Sequence, residues 1–231
     1  ENLAKAAINC FAYYAAHGFD YCQEVHHSIP PYSGSAADGN FMNLSCRQGR
    51  SKCSCCGSAK KGNENRPRTD CSTYVTWVLY EYYKACGMTN MLNVCDSQIR
   101  SGTWKEWGDD ITDGKTLTVE GITINDYFDI VYDHESYYKP STQEELFSML
   151  QPGDILVEFD SYGGTHHVEI YIGMQNDELD LSQYSNAVSQ KGPKTANIYS
   201  CGLFKKQKLY NEQWGALKYV FRPLPPDIVA Q

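Results

Sequence analysis

Ten cysteines in 231 residues constrain this chain more than any other feature. Four of them, Cys46, Cys53, Cys55 and Cys56, crowd into a polar, glycine-containing stretch at about 45–69 that has too little apolar content to fold by burial. Such a stretch needs cross-links or metal. Zinc ligands on one chain typically come in pairs separated by about two to four residues. The run from Cys46 to Cys56 does not pair that way, and disulfides to Cys10, Cys22, Cys86, Cys95 or Cys201 are the expected solution. Disulfides place the chain in an oxidising, secreted setting, with no metal or other cofactor expected. Their connectivity is not readable from sequence. Cys71 is set apart below, which leaves nine cysteines and excludes complete pairing within one chain.

The remaining pattern reads as helices followed by strands, the order of an α+β domain. The Ala-rich stretch at 3–16 predicts a helix. Residues 71–84 predict another, because Val75, Val78, Leu79 and Tyr82 recur at helical spacing. A weaker helix is expected over 97–107. Alternation on either side of Glu120-Gly121 predicts a hairpin at 116–124. Ser141 and Glu144 have the spacing of a capping box for a helix through Leu150. Strands are expected at 155–159, 166–173, near 178–184 and at 216–222. No internal repeat and no long linker divides the chain, so residues 1–231 read as one domain with a Cys-rich insertion.

Composition excludes several roles. The formal net charge is -8, and Lys and Arg are not clustered, so a nucleic-acid partner is not expected. No run approaches the ~20 apolar residues that span a bilayer.

Chemistry concentrates at two places. Cys71 stands at the predicted start of the 71–84 helix, where unpaired N–H groups and the helix dipole favour a thiolate. On the strand at 166–173, Val168, Ile170 and Ile172 share one face; His167, Glu169 and Tyr171 share the other. His166 has the opposite parity to His167 and reads as structural. A histidine on a sheet facing a cysteine at a helix start is the pair that thiol nucleophiles use. Either residue alone is more often a disulfide half or a packed histidine, and the pair in order carries the reading.

In sequence order, TDCSTYVTWVLY at 69–80, LQPGDILVEF at 150–159, HHVEIYIG at 166–173 and YVFRP at 219–223 resemble the motifs of the NlpC-type, papain-like cell-wall cysteine peptidases. The resemblance covers roughly 69–223. It implies a central antiparallel sheet with the nucleophile helix packed on it, and hydrolysis of amide bonds in peptidoglycan stem peptides by a secreted monomer. It further implies Cys71 as nucleophile, His167 as base, and a polar residue on the next strand to orient the imidazole. Asp180 is the first choice for that residue, with Gln183 and Asn186 as rivals. Asp70 and Ser72 match positions that hold the amino end of the substrate, although both also suit helix capping. A site tyrosine expected just upstream of the nucleophile is missing, because the Cys-rich insertion occupies that place; Tyr32 and then Tyr21 are the candidates. Two alternatives share these residues: a papain-like hydrolase or acyltransferase with another amide or ester substrate, and a non-catalytic wall-binding module.

Overall fold

The computed structural model describes residues 2–17, 20–21, 68–96, 98–135, 140, 143–160, 165–175, 192–196 and 217–226. The first helix, α1 (Leu3–His17), is followed by two-residue strands β1 (Asp20–Tyr21) and β2 (Arg68–Thr69), which pair in parallel. Helices α2 (Cys71–Ala85), α3 (Thr89–Val94) and α4 (Ser101–Thr112) come next. A hairpin, β3 (Thr118–Val119) and β4 (Ile122–Thr123), leads through a short 3-10 turn to β5 (Phe128–Asp133). Then follow α5 (Gln143–Met149), β6 (Ile155–Asp160), β7 (Thr165–Gln175), β8 (Gly192–Ala196) and β9 (Leu217–Pro223). The last four strands and β5 form one antiparallel sheet in the order β5-β9-β6-β7-β8. The class is α+β, as expected.

Local chemistry explains the element that matters most. Asp70 caps α2 in an extended conformation, its carboxylate accepting the Thr73 N–H. The predicted stripe is buried: Val75, Val78 and Leu79 are fully enclosed, and Tyr82 nearly so. Each such aliphatic side chain contributes about 1.5–3 kcal/mol by leaving water. The helix ends at Gly87, whose φ of +73° lets the Gly87 and Met88 N–H groups return to Lys84 O and Tyr83 O. That 5→2 and 6→1 pair is a Schellman stop.

Alternate sheet residues feed two apolar clusters. Ile155, Val157, Val168, Ile170, Tyr219 and Phe221 pack with α1, α2 and α4. Leu156, Tyr171, Leu217 and Val220 pack with Leu146 of α5 and with Leu150. The sheet is therefore covered by helices on both faces. Among the described residues, no helix is long and apolar enough to cross a membrane.

Several expectations shift. The helix expected at 97–107 runs instead from Ser101 to Thr112, because Arg100 is extended and the Ile99 N–H is taken by Thr76 Oγ1. The hairpin forms as predicted, with Glu120 at φ +49° and Gly121 at φ +77°, the two positive values of a tight hairpin turn. Strand β5 and helix α3 have no counterpart among the expected elements. The strand expected at 178–184, Ser141 of the capping box, and Cys22, Cys46, Cys53, Cys55, Cys56 and Cys201 lie outside the described residues. No disulfide joins the described cysteines, Cys10, Cys71, Cys86 and Cys95.

Candidate active site

Cys71 is the first residue of α2, next to the capping Asp70, and is 5 % exposed. The first intrahelical bond runs from Tyr74 N–H to Asp70 O, and Asp70 Oδ1 takes the Thr73 N–H at 2.7 Å. The Cys71 N–H thus belongs to the first-turn donors that have no carbonyl four residues back within the helix. The start of α2 is a positive pole, suited to a thiolate or to an oxyanion forming beside it.

His167 comes from β7. Its register is pinned by β6, where Glu158 stands opposite it and Leu156 stands opposite Glu169. Among the described residues, strand β8 pairs with β7 from Ile170 to Gln175. The imidazole is buried and makes polar contacts with both Cys71 and Glu169. Its Nε2 is 3.6 Å from Glu169 Oε2, and both side chains are almost fully enclosed. Burial by itself would lower the His167 pKa. Hydrogen-bonding contact with Cys71 and Glu169, and attraction to the negative charge of both, outweigh it and hold the imidazolium well above its ordinary range.

The base is therefore poised to stay protonated beside Cys71. His166, by contrast, is exposed and stacks on Phe159 with ring centroids 4.0 Å apart, in keeping with a structural role.

Asp70 and Ser72 are turned inward. Asp70 is 6 % exposed and Ser72 4 %. Ser72 Oγ donates to Asp70 Oδ1 at 3.2 Å, and the Gln98 amide donates to both Asp70 oxygens at 2.9 and 3.0 Å and to Ser72 Oγ. Gln98 is held there because Ile99 N–H donates to Thr76 Oγ1, which itself donates to Ser72 O. The polar atoms of this pair are spent on capping and locking the start of α2. Gln98 was not singled out from sequence, and nothing in its local pattern marks it. Glu169 was placed on the His167 face by strand parity but was given no role.

The other candidates divide. Tyr21 sits in β1, its backbone paired with Thr69, two positions before Cys71. Tyr32, Asp180, Gln183 and Asn186 lie outside the described residues. Among the described residues, no cluster of His, Cys, Asp and Glu could hold a metal ion. Comparison with protein-family models, with curated proteins and with solved structures finds no match to this chain.

Proposed function

We propose that the chain is a thiol hydrolase of the papain-like, NlpC type that cuts amide bonds in the peptide stems of bacterial cell wall outside the cell. The carrying observation is the buried contact between Cys71, on the opening turn of α2, and His167, whose imidazole is held protonated. The order of motifs from TDCS to YVFRP supports the choice of family and, through it, the choice of substrate.

In this mechanism the Cys71 thiolate attacks the scissile carbonyl carbon. Negative charge gathers on the carbonyl oxygen, where the Cys71 N–H and the dipole of α2 oppose it. The C–N bond breaks as the His167 imidazolium gives its proton to the departing amine, leaving a thioester on Cys71. Water then attacks the thioester, His167 takes a proton from it, and the C–S bond breaks to release the acid product and restore the thiolate and imidazolium.

Purified peptidoglycan digested with the wild type and with Cys71→Ala tests this directly. New amino termini are expected from the wild type alone, and their flanking residues name the bond. His167→Ala is expected to abolish release, while His166→Ala retains most of it. Equal release by Cys71→Ala would end the thiol reading. A reactive Cys71 that leaves peptidoglycan intact would turn the reading to another amide or ester.

A further inference from the structure

We propose that Glu169, two residues beyond His167 on the same strand, is the positioning carboxylate of the site, so that one short stretch of β7 supplies both the base and the acid that aims it. This inference rests on the thiol-hydrolase reading and adds the residue that reading lacks.

The strand geometry explains how two neighbours in sequence can serve one ring. Side chains at i and i+2 of an extended strand emerge on the same face, about 7 Å apart at the backbone. A glutamate is long enough to close that gap, and Oε2 comes within 3.6 Å of Nε2. The burial gives the second argument. Glu169 is 2 % exposed, and an ionised carboxylate so deep costs several kcal/mol unless it faces a positive charge. An imidazolium at His167 supplies that charge, and the carboxylate in turn favours the imidazolium. It also restrains the orientation of the ring beside Cys71.

Among the described residues, the groups named around His167 come from three elements. Cys71 approaches from α2 and Glu169 from β7 itself. Glu158, on β6, stands directly across the ladder and is also 2 % exposed. Glu158 is a buried carboxylate at close quarters whose effect on the imidazole must be separated from that of Glu169.

The experiment follows the His167 C2–H resonance by proton NMR across pH in a Cys71→Ala background, assigned by its loss in His167→Gln. Glu169→Gln is expected to lower the titration midpoint, Glu158→Gln to lower it less, and Glu169→Asp to recover part of the shift. In the Cys71-containing protein, Glu169→Gln is expected to move the alkaline limb of kcat/KM on stem peptides to lower pH. It should also reduce kcat/KM roughly ten- to a hundredfold, the worth of one charge-assisted hydrogen bond. An unchanged midpoint in Glu169→Gln, or a drop confined to Glu158→Gln, overturns the assignment. Iodoacetamide labelling of the wild type separates this from failure of the parent reading. A Cys71 no faster than an ordinary thiol sinks the thiol hydrolase. A fast Cys71 with an unmoved His167 midpoint sinks only Glu169. Circular dichroism of each variant guards against a simple loss of structure, and Glu169→Asp keeps the test decisive if the glutamine variant does not fold.

Discussion

Replacing Asp70 by alanine separates a structural role from a substrate-binding one. The carboxylate is 6 % exposed and accepts from Thr73 N–H, Ser72 Oγ and the Gln98 amide. Loss of an N-cap costs about 0.5–2 kcal/mol. Leaving the part-buried Gln98 amide short of its acceptor costs about 1–3 kcal/mol more, at the low end because Ser72 Oγ still accepts from it. The two together come to roughly 1.5–3 kcal/mol, which for a chain of this size is a fall in Tm of roughly 3–12 °C. Asparagine is also a good cap. Gln98 Oε1, buried without a hydrogen-bond partner among the described residues, is free to turn and accept from its new NH2 group, so Asp70→Asn should cost less than about 1 kcal/mol. Urea unfolding followed by circular dichroism reads both, with equal m values required for the comparison. An Asp70→Ala variant within about 0.5 kcal/mol of wild type, or an asparagine variant as damaged as the alanine one, would refute the capping argument. If Asp70→Asn keeps stability yet raises KM sharply on stem peptides, its charge serves substrate after all.

Arg222→Met should destabilise by about 3–5 kcal/mol in the same assay. It strands Asp154, which is 1 % exposed and receives two Arg222 hydrogen bonds of 2.8 Å. Gly108→Ala should also destabilise, by about 1–3 kcal/mol, despite the ~1 kcal/mol helix preference for alanine. Its Cβ would land on the Cγ, Cδ2 and Cε2 carbons of the buried Tyr219 ring, and a neutral or stabilising result would show that ring to be free to shift. For pH, a His167 midpoint raised by contact with Cys71 and Glu169 means that its contribution to stability is complete below about pH 6.5, the unfolded value. The contribution is lost as pH rises through the raised folded value. The stability gap between wild type and Glu169→Gln should therefore narrow from pH 6 toward alkaline pH; a gap that widens would contradict the sign.

Much of this was open to a reader of the chain alone. Helical spacing is a local property, so α2 and its buried stripe of Val75, Val78 and Leu79 followed from the letters. Strand alternation is equally local, and it put His167 and Glu169 on one face before any coordinates. The bounds of α4 were misjudged by several residues because Arg100, at its N-cap, makes no side-chain capping bond that would mark the start. Only the position of Trp104 against Phe128 and Phe221 settles where that helix must lie.

What sequence determined by itself was therefore which side chains share a helix face or a strand face, since that depends only on neighbours along the backbone. What tertiary structure alone decided was who meets across the chain. The sulfur of Cys71 reaches an imidazole almost a hundred residues later, and Gln98 closes over Asp70. Those meetings are set by sheet register and by the packing of α2 on the strands, both of which are sums over distant contacts that no local window contains.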